Sequence, residues 1–437
     1  MHLWNADASD LVGLVKAGDV SAVEVVTSHL ERIAESDGEI HAWELVDEEG
    51  ALAQAREVDR RIRIRGDVGS LAGLPIGVKD VIDVCGLPTG AGFDPYRKDR
   101  FPLEDATCVA ALRRAGAVIV GKTVTVQFAL GQDDPGTRNP RDPRRTAGGS
   151  SSGSAAAVAA RQVPLTLGTQ TTGSLLRPAG YCGVVGFKPS FGWVDNEGVL
   201  PTSWGSDHVG LITRTVADAS LAYDAIVAHD RTRPAARRRQ LDPPRLGVVR
   251  ELVEASSPAV RKSVEESIRR LHDAGAELVD CALPAPLELL LAVHWIGVLS
   301  DGAATHLHQF EELQQYYGPL LRANLEAGSL IPASTYVHAA RVRSRLRGKM
   351  AELVGTYDAL VAPTAPDRAP IMDPESRTGL GDPSYQAPWS CFGLPNLCLP
   401  LPDESGLADS VQFVTSWSDE RRLLDLARWC ETVVGGR

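Results

Sequence analysis

The chain has 437 residues, a formal net charge of −11 at pH 7, 43% hydrophobic side chains and 23% charged ones. That is an ordinary globular composition, long enough for about three domains or one large α/β domain, and it excludes a disordered chain. The acidic balance argues against a nucleic-acid binder, whose affinity rests on neutralising phosphates.

Residues 8–64 read as two helices. Ser9 or Asp10 caps the first, and Ser21 opens the second ahead of apolar positions at helical spacing. Leu71 to Val84 predicts a buried strand followed by a turn. A helix begins at Asp105, and Ala117 to Val120 is a short buried strand. Residues 134–154 form a Pro/Gly/Ser/Arg-rich loop with too little apolar content to pack. It runs into a helix of very small side chains, Ala155 to Ala160. Between Val163 and Val194 recurring glycines separate short apolar pieces, a pattern of turns and buried strands. Residues 213–229 predict a helix, and Arg231 to Pro244 a basic, Pro-interrupted surface connector. A strand at Leu246 to Val249, a helix from Ser257 to Gly275 and a strand at Ala276 to Val279 follow. Long helical segments reach about Glu352, Asp358 to Pro366 is a strand ending in a loop, and a Gly/Pro-rich strand region precedes a last helix after Asp419. Strands alternating with helices point to a sheet covered on both faces.

The seven cysteines are scattered and include no C-x-x-C pair, which disfavours a disulfide framework or a structural zinc site and fits the cytoplasm. The opening MHLWNADASD has no basic region followed by an apolar run, so no secretory leader is expected. The apolar stretch Leu289 to Leu299 falls short of the ~20 residues of a membrane span. A soluble protein without a membrane partner is expected.

Two generic patterns match by letter only. Gly116 to Thr123, GAVIVGKT, satisfies the phosphate-loop formula, but Ala-Val-Ile-Val belongs inside a sheet, where its N–H groups serve a ladder instead of a phosphate. Lys122 then reads as a strand-end lysine. GSSSG around Ser151 satisfies the nucleophile-elbow formula, yet DPRRTAG precedes it where an apolar strand is required.

A larger constellation is more specific. TAGGSSSGSAAAVAA spans residues 146–160, GTQTTGSLLRPAGYCGVVGFKP spans 168–189, and GVKD places Lys79 at the end of an apolar strand. With DATCVAALRRAGAVIVGKT, RNPRDP, SDHVG, DALVAPTAP and GLPNLCLPL, these segments resemble the amidase signature family, serine amide hydrolases with a Ser-Ser-Lys triad. The resemblance covers most of the chain, and malonamidase-like members are closest by motif. It implies one α/β domain over residues 1–437, a twisted mixed β-sheet sandwiched between helices. The parts are a helical region to about 65, a signature core of about 66–230, the connector, and a C-terminal part from about 245.

Carried over residue by residue, the resemblance makes Ser174 the acyl-forming nucleophile, Ser150 the bridging serine and Lys79 the general base. The N–H groups of Thr171, Thr172, Gly173 and Ser174 would form the oxyanion hole, and a cis peptide would precede Ser150. The chemistry is coherent, because a serine attacks well only when a base removes its proton, and a lysine does so only as the neutral amine. At its ordinary pKa a lysine is neutral about once in a few thousand molecules at pH 7; half-neutrality takes about 4 kcal/mol, within reach of burial. Gln170, Thr172 and Ser152 depart from the commonest family pattern. Thr172 matters most, since a β-branched residue tolerates positive φ poorly. Arg177 and Ser151 are candidate substrate contacts. Arg177 either grips a substrate carboxylate or holds the loop through carbonyls.

The expected activity is hydrolysis of a small amide of malonamate, allophanate or carboxybiuret type. The alternatives are the glutaminase subunit of a tRNA-dependent amidotransferase and, in another class, a phosphate-loop nucleotide binder. No metal or organic cofactor is implied, the partner is a small-molecule amide, and a homodimer stays open. Pocket walls are expected from Leu287 to Arg345 and from Asp367 to Ser390, with Trp204, Tyr385 and Trp389 as candidate lining residues.

Overall fold

The computed structural model describes residues 2–131, 133–227, 243–372, 379–402 and 406–435, so most of the expected basic connector lies outside the described residues. The N-terminal part contains three helices and a strand where two helices are expected: α1 (Ala8–Ala17), α2 (Ala22–Ile40), β1 (Trp43–Val46) and α3 (Glu48–Arg63). Asp7, not Ser9 or Asp10, stands at the N-cap of α1. Ser21 and Glu24 exchange the reciprocal bonds of a capping box at α2. β1 has no alternating pattern to read, because all four of its residues are half-buried.

The next elements are β2 (Pro75–Lys79), α4 (Asp94–Asp99), α5 (Thr107–Arg114) and β3 (Val118–Thr123). The expected loop at 134–154 contains a small hairpin, β4 (Arg138–Asn139) and β5 (Asp142–Thr146), turned by Asn139, whose side-chain oxygen accepts from the Arg141 N–H at 3.0 Å. Backbone pairing, not an apolar face, holds it. Then come α6 (Ser152–Ala159), β6 (Leu165–Gln170), α7 (Leu176–Cys182), β7 (Val185–Lys188), β8 (His208–Thr213) and α8 (Val216–Ile226). The second half supplies β9 (Arg245–Val249), α9 (Arg250–Glu254), α10 (Pro258–Asp273), β10 (Glu277–Cys281), α11 (Leu287–His306), α12 (Phe310–Leu313), α13 (Pro319–Ser329) and α14 (Ala333–Thr356). It closes with β11 (Ala359–Pro363), α15 (Ala387–Phe392), β12 (Asn396–Leu401), β13 (Asp409–Val414) and α16 (Glu420–Gly435).

Eleven of these strands form one mixed sheet in the order β1-β3-β2-β6-β8-β7-β12-β13-β11-β9-β10. β3, β2 and β6 run parallel, as do β11, β9 and β10, with antiparallel pairs between the two groups. Successive side chains of a strand point to opposite faces. Val209 and Leu211 of β8 accordingly join the core with α5, α8 and α16, while Ile212 joins the one with α6 and α7. The result is a single α/β domain with helices on both faces. α11 is long and apolar enough to cross a membrane by length and composition, but it packs against α13, α14 and α15 within this domain.

Candidate active site

Parallel β2 and β6 are neighbours and end on the same side of the sheet, β2 at Lys79 and β6 at Gln170. Loops leaving the carboxyl ends of parallel strands are where open α/β sheets build ligand sites. All five residues of β2 are buried, and Lys79 is fully so. Its Nζ lies 2.7 Å from Ser150 Oγ and 2.8 Å from Thr169 Oγ1. Burial holds the amine well below the ordinary lysine range, while the Asp207 carboxylate pulls the other way.

Two further lysines are fully buried and show what Lys79 is not. Lys122 forms an ion pair with Asp80 at 2.8 Å, and Lys188 donates to the carbonyls of Pro189 and Leu394. Lys122 belongs to β3, so the last six residues of GAVIVGKT are strand and offer no phosphate cradle.

Ser150 follows a cis peptide bond from Gly149 and stands one residue before Ser151, the N-cap of α6. The small side chains of α6 let it lie directly on the sheet. Gly153 N–H donates to Val124 O at 3.1 Å, and a Cβ on Gly153 would fall 2.2 Å from Ala42 O. The Ser154 hydroxyl donates to Leu167 O at 3.1 Å. Ser151 N–H donates to Ser174 O at 2.9 Å, which ties the serine loop to the loop after β6. Ser150, Thr171, Thr172, Gly173 and Ser174 then line one cavity of about 400 Å³, walled by Leu130, Trp295, Val298, Leu380 and Pro383.

Among the described residues no protein acceptor takes the N–H groups of Thr171, Thr172, Gly173 or Ser174. Thr172 does not have a positive φ, so its β-branched side chain meets no backbone conflict. Gly173 does not have one either. A Cβ there would fall 2.4 Å from Gln386 Oε1 and 3.1 Å from Pro383 Cβ, so a larger residue would have to displace the Gln386 amide. The loop is anchored from outside. Thr171 Oγ1 donates to Asp207 at 2.6 Å, Thr172 Oγ1 lies 2.9 Å from His294 Nε2, and Ser390 Oγ donates to Thr172 O at 2.7 Å. Gln170 Oε1 accepts from the N–H groups of Leu175 and Leu176, satisfying the start of α7.

The family profile described as Amidase matches residues 24–424. The chain belongs to the amidase signature family. An amidase of Pseudomonas putida is 39% identical over 369 residues, with 80% of this chain and 78% of that protein covered. A glutamyl-tRNA(Gln) amidotransferase subunit from Salinispora tropica is 33% identical, with 99% and 98% covered. A solved amidase superposes with a TM-score of 0.90 at 32% identity, over 98% of this chain and 100% of that one. The protein is thus an enzyme that hydrolyses amide C–N bonds.

Within this amidase signature enzyme, not every expected residue reaches the cavity. Arg177 is buried, and its Nε and Nη2 donate to Gly149 O at 3.2 and 2.6 Å while Nη1 donates to Gly381 O. It therefore holds the serine loop through carbonyls, and it also lines the cavity without an ion-pair partner among the described residues. Ser151 does not line the cavity. Its Oγ is fully buried, donates to Thr169 O at 3.1 Å and accepts from Thr169 N–H at 3.3 Å. Trp204 is exposed at the surface, and Tyr385 and Trp389 belong to a core cluster, so none of the three lines the cavity. The expected wall segments nevertheless supply Trp295, Val298, Leu380 and Pro383.

Sequence reading missed Thr169, Asp207 and His294. Asp207 carried a signal, an acid inside SDHVG just before a buried strand. Burial pushes its carboxyl up to about 6 against the bonds from Thr171, Ser203 and Thr202. His294 sat in an apolar helical run with nothing to mark it.

Proposed function

We propose that Ser174 is the nucleophile, Ser150 the proton carrier and Lys79 the base of an amidase acting on small, carboxylate-bearing amides. The observation that carries this reading is the 2.7 Å contact with Ser150 Oγ of a fully buried Lys79 Nζ that has no ion-pair partner among the described residues, beside a cavity that Ser150 and Ser174 share. As Ser174 Oγ bonds to the amide carbon, its proton passes to Ser150 while the Ser150 proton passes to the Lys79 lone pair. The carbonyl π electrons move onto oxygen, and the free N–H groups of residues 171–174 receive that charge. The tetrahedral adduct collapses by expelling the nitrogen, which takes the proton back from Lys79 through Ser150 and leaves as ammonia or an amine. Water, deprotonated by the same route, then releases the acid and restores Ser174.

The substrate class rests on Arg177. A buried guanidinium with no ion pair among the described residues is expensive, and a carboxylate arriving in the cavity would compensate it on the N–H groups the carbonyls leave free. The test is a comparison of ammonia release from malonamate-type amides and from neutral amides of equal size, in the parent and in Arg177→Met. Loss of the grip lowers kcat/KM for the carboxylated member about tenfold more than for its neutral partner. Equal losses would mean that Arg177 acts only on the serine loop. A fluorophosphonate should label Ser174 and no other serine.

The likeness to the Salinispora amidotransferase chain favours a second reading, a glutaminase that passes ammonia to a partner chain. Glutamine as the only amide hydrolysed by the isolated chain would select it. Seven cysteines without a disulfide support a cytoplasmic setting.

A further inference from the structure

Helix α11 separates two cavities. Its Trp295 and Val298 line the catalytic one. Its His294, Gly297 and Asp301 line a second, of about 420 Å³, closed on the far side by Tyr336 and Arg343 of α14. The second cavity contains an acid and a base held apart. Asp301 accepts from Ser203 Oγ at 2.6 Å and from Tyr336 OH at 3.4 Å, while Arg343 Nη2 donates to Gly205 O at 3.2 Å. A Cβ on Gly205 would lie 3.6 Å from Arg343 Nη1 and 4.0 Å from Asp301 Oδ2, so both charges border one opening, yet they form no ion pair with each other. Opposite charges fixed at a short separation complement a molecule that carries both.

The walls of this cavity are tied to both threonines of the loop after β6. Ser203, whose hydroxyl meets Asp301, also donates its N–H to Asp207 at 2.9 Å, and Asp207 accepts from Thr171 Oγ1. His294, itself a wall residue, meets Thr172 Oγ1 through Nε2. Burial pushes its imidazole down to about 3, so the ring is neutral at working pH.

We propose that the second cavity binds a small zwitterion of the α-amino-acid type, ammonium on Asp301 and carboxylate on Arg343, and that occupancy adjusts the oxyanion loop through Thr171 and Thr172. The binding is independent of the catalytic reading, and the coupling rests on it, so the two are measured separately. Calorimetry on enzyme phosphonylated at Ser174 reads binding with the catalytic cavity blocked, using glycine, L-alanine and L-leucine, with acetate and methylammonium as single-charge controls. At least one zwitterion should bind at one site, each control at least tenfold more weakly, and Arg343→Met and Asp301→Asn should each weaken it about tenfold. No binding by any of the three, or an affinity indifferent to both substitutions, overturns the site. If Ser174 resists the reagent, that bears on the catalytic reading alone, and Lys79→Ala replaces the labelled enzyme.

Coupling is read as kcat on a neutral amide. The bound zwitterion should change it at least twofold in the parent, and Thr172→Val, which removes the bond to His294 at a residue that does not itself line the second cavity, should keep the binding and lose most of the response. An unaltered kcat in the parent, or an undiminished response in Thr172→Val, overturns the coupling.

Discussion

At the level of single residues, three fully buried lysines in one chain differ only in what surrounds them. Asp80 compensates Lys122, carbonyl oxygens hold Lys188, and Lys79 is left with two hydroxyls and a distant carboxylate. Burial pushes the Lys188 amine down to about 7, and depresses Lys79 as well. Asp207 partly opposes the effect at Lys79, since a nearby negative charge favours the ammonium form. Removing that charge in Asp207→Asn therefore lowers the Lys79 pKa further. The acid limb of kcat/KM should move to lower pH, while kcat drops about tenfold through the loosened Thr171, less than for loss of a direct oxyanion donor. A pH–rate profile checks both effects, and a limb displaced upward would contradict the assignment of Lys79 as base.

Elements place these residues through close backbone approach. β2 and β6 bring Lys79 and the loop of Ser174 to one side of the sheet, and the loop leading into α6 presents Ser150 there because Gly153, Ser154 and the alanines of α6 let the helix approach closely. Gly153 is the tightest of these contacts, with backbone atoms of Ala42 and Val124 where a Cβ would stand. Gly153→Ala should therefore lift the helix, lose about 1–3 kcal/mol of stability and lower kcat together with it. Gly38 provides the contrast: it lies inside α2 with open space around its Cα and no positive φ. Gly38→Ala should raise stability by about 0.5–1 kcal/mol with kcat unchanged. Thermal melts and turnover on the two variants separate packing against the sheet from helix propensity, and similar behaviour of both would refute the close-packing account.

For the whole molecule, burying Lys79 is a stability cost. Its folded pKa is depressed, so between that value and the unfolded ~10.4 the unfolded chain holds a proton that the folded chain lacks, and stability rises with pH across the window. Lys79→Met abolishes turnover and removes this term. Its stability relative to the parent should improve as pH falls from 9 to 6, by up to about 1.4 kcal/mol per pH unit. A difference that stays flat with pH would show that Lys79 is not depressed.

Much of this architecture was legible in the chain. The Ser21 cap, the strand ending at Lys79, the small-residue helix and the alternation of strands with helices are written in contiguous stretches where local rules apply. β1 and the β4–β5 hairpin were not, because edge position and backbone pairing leave no hydrophobic period to read.

By itself the sequence determined which residues could carry amide hydrolysis, since the lysine, the two serines and their glycines sit in short motifs whose chemistry depends on residue type and local backbone. Only the tertiary structure decided which charges were left uncompensated. It paired Lys122 and left Lys79 without an ion-pair partner among the described residues, turned Ser151 onto β6, spent part of Arg177 on Gly149, and brought His294 across 122 residues to Thr172. The physical reason is that a side chain's pKa and hydrogen-bond partners depend on the atoms packed around it, and those come from remote parts of the chain.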